Sequence, residues 1–432
     1  MACLLENRTM VPRVPCVEDK DVSASLLAVR RLAVARQHLP GSWPVRATGA
    51  RIVSTVRDLG YVQLDPIELV APAHVLTLWN RLGNFRRSDL DRLLWKEKRL
   101  FEAWSHATSI VPTADYPIHY SIMHRYPESL SRSWGYWRDQ ARRWLRTHAE
   151  LRRQVLGELR RGPRRASEFE AHARTRSPGG GWSSGSDVTT MLTHLQLRGE
   201  VIFVGRGGNQ KTWGLAKEFL PSWVDRRVLP EREVERRGVE RSVRALGVAN
   251  STEINTYLLR GRYLHLRETL EQLRAELVLH RIRISGIEGR DPRYVHHGDL
   301  PLLESLAADD WEPRVSLLSP FDNLLHNRDR VRRLFGFDVR FELYVPKSQR
   351  RFGPYVLPIL WGDRFIGRLG ARFDKDHHSL RVLAVHAEPG APPEKNVGTR
   401  IAEKVDRLGE LVGASEVTYE GPVPDAWSAS LH

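Results

Sequence analysis

Apolar positions recur at helical spacing along most of the chain, broken by short runs that alternate as strands do. Leu26, Val29, Leu32 and Ala33 share one face of a helix that Ser23 can cap, and Pro40-Gly41 ends it near residue 39. Ile52, Val56 and Leu59 mark a second helix over 46–59, and Gly60 suits a left-handed C-cap. A short strand then runs from Gly60 to Pro66, and a helix over 73–82 stops at Gly83. Ser88 can cap a further short helix to residue 94, and residues 99–111 have the β-branched and aromatic character of a hairpin or wing. Helices followed by such a wing are the ingredients of a winged helix-turn-helix domain.

The same order recurs. Helices are expected from 151 to 161, from Ser167, and from an Asp187 cap to 198, followed by strands at 201–204 and 211–215 around a glycine-rich turn. A third round places helices at 232–246, 252–259 and 266–276 before a strand at 277–284. The three rounds share negligible identity, so the repeat is one of structure. After Pro313 the pattern changes to strands at 340–345, 355–360, 364–368 and 380–385, then a helix over 393–412 and a strand at 416–419. The expected fold class is α+β: three tandem winged helix-turn-helix domains (23–130, 131–222 and 223–312), then a C-terminal antiparallel β-barrel or sheet domain (313–432). Residues 1–22 form a disordered leader in this reading.

The strand at 60–66 carries the first candidate chemistry. Side chains alternate on a strand, so Val62 and Leu64 point to the core while Gln63 and Asp65 project together from the other face. Their Cα atoms would stand roughly 6.6 Å apart at ~3.3 Å per residue. That gap holds a water or a sugar carbon between an amide and a carboxylate. An edge strand with an ordinary solvated polar face is the alternative.

Composition narrows the partners. A net charge of +15 over 432 residues suits a polyanion. The excess is mostly Arg, which a GC-rich genome also produces, so the preference for Arg over Lys carries no weight. The two cysteines, Cys3 and Cys16, cannot build a disulfide framework or a four-ligand zinc site and point to a reducing compartment. No apolar run spans a bilayer and the first residues lack a secretory signal, so a cytoplasmic monomer without membrane contact is expected.

Common catalytic signatures are absent: there is no Walker-A loop, HExxH helix, nucleophile elbow or Rossmann fingerprint. No cofactor and no metal are expected, and the adjacent pairs His296-His297 and His377-His378 read as surface loops. If residues 102–108 are one strand, Glu102, Trp104, His106 and Thr108 share a side. Trp104 and His106 could then line a nucleotide site, or sit in the domain core and at its rim. Arg138, Arg142 and Arg143 lie in an Arg-dense helical stretch interleaved with Trp134, Trp137 and Trp144, which serves either phosphate contact or a solvated face. Lys211 adds charge at the tip of the second wing. The stretch Ser319-Pro320-Phe321-Asp322 has no meaning in these terms.

Two distant segments are similar to one known family. LGYVQLDPIELVAPAHVLTLWNRLG (59–83) with FEAWSHATSIVP (101–112), and LLSPFDNLLHNRDRVRRLFGFDVRFELYVPKSQRRFGPYVLPILWGDRFIGR (317–368), resemble the AlkZ/YcaQ-type DNA glycosylases. The resemblance implies tandem winged helices and a β-barrel curved around a basic channel for duplex DNA. It implies hydrolysis of the N-glycosidic bond of cationic N-alkylated purines, interstrand crosslinks included. The family motif of Gln, an apolar residue, then Gln or Asp stands here as Gln63-Leu64-Asp65, the Asp form of the YcaQ-like branch. That form suggests general alkylation repair over self-resistance to one genotoxin. The implied roles are water positioning for Gln63 and general base with electrostatic stabilisation for Asp65. A crosslinked base cannot swing into a snug pocket, so an open cleft is expected. The rival reading is a non-enzymatic tandem winged-helix DNA-binding protein such as a transcription regulator.

Overall fold

The computed structural model describes residues 21–44, 46–169, 185–207, 210–289, 291–307 and 311–431. Most of the expected leader, part of the helix expected from Ser167, and nearly all of the glycine-rich stretch 178–185 lie outside the described residues. The leader reading extends too far, because Val22–Ala24 is strand β1, paired in parallel with residues 282–284. Ser23 therefore sits in a ladder, and Ser25 caps the first helix, Leu26–Arg36, by accepting from Ala28 N at 3.1 Å.

Thr48 caps the helix Gly49–Leu59, and Gly60 leaves it at φ +80°, which favours glycine. Strand β2 (Val62–Gln63) follows, then the helix Ala73–Leu82. A Cβ on Gly83 (φ +70°) would lie 3.0 Å from the Trp43 ring, so glycine is needed there for both backbone and space. The next helix, Arg87–Asp91, starts before Ser88, which is not its cap. Strands β3 (Leu100–Trp104) and β4 (Thr108–Pro112) form the expected hairpin, and the sheet order is β2-β4-β3.

Beyond the helices Gly135–Thr147 and Ala149–Leu159, β5 (Arg164–Arg165), β6 (Val201–Gly207) and β7 (Gln210–Leu215) make a second small sheet, β5-β7-β6. The helix before β6, Gly185–Leu197, opens two residues ahead of Asp187. In the third region Asn250 and Glu253 form a capping box on the helix Ser251–Thr256. Strands β8 (Val248–Asn250), β9 (Leu279–Ile284) and β10 (Arg293–His296) join β1 in the order β1-β9-β10-β8. The sequence reading had only the β9 strand of these.

The last sheet runs β11 (Val315–Leu317), β12 (Val356–Trp361), β13 (Arg364–Asp374), β14 (Ser379–Ala387) and β15 (Glu416–Tyr419), with the helix Lys395–Val412 packed on it. It is antiparallel except between β14 and β15, and β11 and β15 are its two edges. Residues 340–345 form no strand. Instead the carboxylate of Glu342 accepts the backbone N–H groups of Arg351, Phe352 and Gly353 at 2.9–3.1 Å, which folds the segment into a loop. Among the described residues no helix is long and apolar enough to cross a membrane.

The largest core joins the two ends of the molecule. Ile52, Val56, Val62 and Trp79 pack in one cluster with Leu357, Leu369, Ile401 and Val405. A second cluster brings Tyr61, Phe101 and Val111 together with Val239, Tyr257 and Leu273. The sheet that contains β2 is therefore packed on one face by the C-terminal region and on the other by the third region.

Candidate active site

Strand β2 is short, and its placement depends on bonds from far along the chain. Val62 pairs with Ile110 and Gln63 with Ser109, and Leu64 N continues the ladder to Thr108 O at 2.8 Å. On the N-terminal side, the Tyr257 hydroxyl donates to Leu59 O at 2.8 Å. Asn323 Nδ2 donates to Tyr61 O at 2.9 Å and to the Tyr257 hydroxyl at 3.2 Å. His106 stacks on the Tyr61 ring (centroids 5.4 Å apart), and His326 packs edge-on against His106 and Tyr257.

This explains the stretch Ser319–Asp322. Asp322 forms a two-fold ion pair with Arg81, both bonds 2.8 Å and both side chains fully buried. Asp322 Oδ1 also caps the turn at Leu324 N, and Arg81 reaches Gln37 Oε1 at 3.1 Å. Ser319 Oγ shares a hydrogen bond with the Tyr355 hydroxyl at 3.1 Å. The motif is a brace that holds the helix Ala73–Leu82, β2 and the C-terminal sheet in register.

Asp65 lies just beyond β2, half-buried, with Oδ1 accepting from Ile67 N at 2.9 Å. That two-residue turn fixes the carboxylate. Burial raises its pKa above the usual carboxylate value, while the Ile67 N–H and the Gln63 carboxamide pull in the other direction. The charge of Asp65 in turn adds to the burial that raises the Tyr355 phenol. Asp65 therefore faces the C-terminal sheet, and the loop after it is tied there by Phe373 N donating to Leu69 O at 2.8 Å. Gln63 is likewise half-buried. The pair lies at a junction, beside an aromatic chain from Tyr355 through Phe341 to Tyr344, whose ring is 83 % exposed. Nothing in the sequence distinguishes Tyr344 or Tyr355 from ordinary strand aromatics.

The other candidates are placed differently. Residues 102–108 are not one strand: the chain turns at 105–107, and Trp104 pairs directly with Thr108. Glu102 is buried and bound at both oxygens by Arg206 of β6. His106 lies in the turn, its Nδ1 in a 2.8 Å hydrogen bond with Thr256 O, and burial lowers its pKa. Its ring supports Tyr61. Trp104 meets Trp134 edge-on and lines a cavity of about 870 Å³ with Trp137, Trp144 and Trp213. Thr108, whose carbonyl receives Leu64, lines the same cavity. Lys211 lies in its wall, its ammonium 4.3 Å from the Phe203 ring centroid and lowered in pKa by burial. It pairs with Arg206, one step in from the Gly207–Gln210 pair that ends the hairpin.

Arg138, Arg142 and Arg143 all lie on the helix Gly135–Thr147. Arg142 is paired with Glu128 at 2.7 Å and approaches Asp139 at 3.3 Å. Arg138 and Arg143 have no ion-pair partner among the described residues, and exposed Tyr136 and Trp137 share their helix.

A family model described as DNA glycosylase AlkZ-like matches residues 56–411. Among solved structures, a DNA glycosylase AlkZ from Streptomyces sahachiroi is similar in fold, with a TM-score of 0.63 at 17% identity. The match covers 93% of this chain and 100% of that one.

Proposed function

Because the chain belongs to the AlkZ-like DNA glycosylase family, we propose that it hydrolyses the N-glycosidic bond of cationic N-alkylated purines in double-stranded DNA, N7-guanine adducts and interstrand crosslinks among them. In this reading it is a monofunctional glycosylase of the Gln-x-Asp branch serving alkylation repair. The helix-and-hairpin regions act as three winged helices that carry the duplex, and the C-terminal sheet closes the site.

The observation that carries the reading is the half-buried carboxylate of Asp65, held by Ile67 N beside Gln63. An N7-alkylated guanine is already positively charged, so it leaves without being protonated. What needs stabilisation is the cationic sugar and the water that attacks it. A carboxylate held by its own backbone stabilises developing positive charge without reorganising. Burial makes it a stronger base than a free aspartate, which suits proton abstraction from water. Gln63 offers both a donor and an acceptor to that water. Exposed Tyr344, at the end of the aromatic chain, offers a ring for stacking against DNA in this reading. Arg138 and Arg143 supply unpaired charge for phosphates. A transcription regulator would need the charge but not the carboxylate, and the family membership favours the enzyme.

The test uses purified full-length protein with duplexes containing 7-methylguanine or a nitrogen-mustard crosslink. Release of the base, with strand breaks only after alkali, is the expected result. Breaks without alkali would overturn the monofunctional assignment, and intact lesions in both duplexes would overturn the reading itself.

A further inference from the structure

Away from Asp65, the helix Lys395–Val412 and the loop after the first helix enclose a cavity of about 390 Å³. Its walls include Trp43, Arg314, Arg400, Lys404 and Arg407, with Glu312 and Glu403. Arg400, Glu403, Lys404 and Arg407 follow one helical stripe. Four basic side chains thus line the cavity against two carboxylates.

Lys404 is the unusual member. It is buried, and its ammonium sits between two indoles, 3.8 Å from the Trp43 centroid and 3.7 Å from that of Trp79. Nζ has no hydrogen-bond partner, although an ammonium has three N–H groups to satisfy. Burial, with Arg314 and Arg407 nearby, pulls its pKa well down. Arg314 is held by His38 O and Asn80 O, but its Nε is buried and unbonded. Neither Arg400 nor Arg407 forms an ion pair with a described residue, and both lean on indoles, Arg407 on Trp43 and Arg400 on Trp361. Basic groups that outnumber the carboxylates beside them, Glu312 and Glu403, repel one another. An oxyanion would offset the surplus and give the guanidinium groups the bidentate geometry they favour.

The geometry points to this cavity as a binding site for a phosphate group, held by Arg400 and Arg407 at the rim and by Arg314 and Lys404 within. A cavity of this size also has room for an ester substituent. The site does not depend on the glycosylase reading, because it shares no residue with Gln63 or Asp65. Free phosphate and the terminal phosphate of a DNA end present the same chemistry.

Calorimetric titration of the full chain with inorganic phosphate, at ionic strength held constant with chloride, tests the site. Saturable binding is expected for the wild type, weakened about tenfold or more in Arg400→Gln/Arg407→Gln, the scale of one lost charged hydrogen bond. Those two side chains are exposed, so the double variant keeps its fold, which circular dichroism checks. Lys404→Met, if folded, should bind no phosphate. A second arm compares duplexes with 5′-phosphate and 5′-hydroxyl ends. Tighter binding of the phosphorylated duplex, reversed by free phosphate, assigns the site to DNA ends. Equal binding of the two duplexes alongside saturable phosphate heat assigns it to the free anion. No saturable heat with the wild type, or the same heat with the double arginine variant, would overturn the proposal.

Discussion

Asn323 donates its side-chain amide to the carbonyl of Tyr61 across 2.9 Å and 262 positions of chain. Two residues past that carbonyl stands Gln63, and two more bring Asp65. The backbone that leads into the pair is thus held by a residue that belongs to the C-terminal region.

Asp65→Asn keeps the shape and removes the charge. Excision of 7-methylguanine under single-turnover conditions should fall by roughly 10²–10⁴-fold, the scale of one acid–base or electrostatic group. Duplex affinity in a gel-shift or anisotropy assay should stay within about twofold, since base contacts and phosphates are untouched. A variant with full excision would remove Asp65 from the mechanism.

Gln63→Ala should lower excision less than Asp65→Asn. The water loses one guide while the carboxylate that activates it remains. Equal rates for wild type and variant would count against water positioning.

The raised pKa of Asp65 has a signed consequence for pH. The folded protein holds this proton more tightly than the unfolded chain, so ionising Asp65 lowers stability as pH rises from the unfolded pKa through the folded one. At pH 7 that penalty is fully present, and Asp65→Asn should melt at a higher temperature than wild type. Below the unfolded pKa the difference should vanish. Excision should rise across the same interval, with its acid limb centred above the ordinary aspartate value of about 3.9. Thermal melts and rates measured from about pH 3 to 8 check both directions together.

Removing one partner of the buried Arg81–Asp322 pair leaves the other charge uncompensated. Arg81→Met should therefore cost about 3–5 kcal/mol in denaturant unfolding. Arg81→Met combined with Asp322→Leu should recover much of that loss. Excision should not recover with it, because Asp322 also holds the turn that presents Asn323.

Binding to undamaged duplex should weaken steeply with salt. Arg138→Ala and Arg143→Ala should each reduce the slope of log K against log salt by about one phosphate contact. Arg142→Ala should change it less, since Glu128 already occupies that guanidinium. Slopes from anisotropy titrations between about 50 and 200 mM salt decide it.

Local pattern carried the helices well. The helix over 73–82 falls where periodicity and Gly83 place it, and the hairpin at 100–112 follows from its β-branched and aromatic residues. Local pattern failed wherever a distant partner sets the conformation. Residues 340–345 alternate like a strand, yet the Glu342 carboxylate collects three backbone N–H groups and bends them into a loop. Val22–Ala24 has no strand signal until β9 lies beside it. Alternation set Gln63 and Asp65 apart as a polar pair and only the family resemblance suggested a role for them, while the strand itself is two residues long and ends before Asp65. The carboxylate owes its position to the turn at Ile67 instead. One continuous strand would set His106 beside Trp104, at a nucleotide site or at the core rim, but the turn at 105–107 breaks that strand, and Thr256 and Tyr61 claim the ring for packing.

The core shared by Val56 and Trp79 with Leu357 and Val405 sets an order of assembly. During synthesis β2 leaves the ribosome early, but Asn323 and the strands that cover its sheet emerge hundreds of residues later. Until then the first helices present a sticky apolar face to the cell, the kind of surface that chaperones guard. Gln63 and Asp65 are therefore brought to their final setting only at the end of translation, and under the proposed function an incomplete chain could not attack DNA.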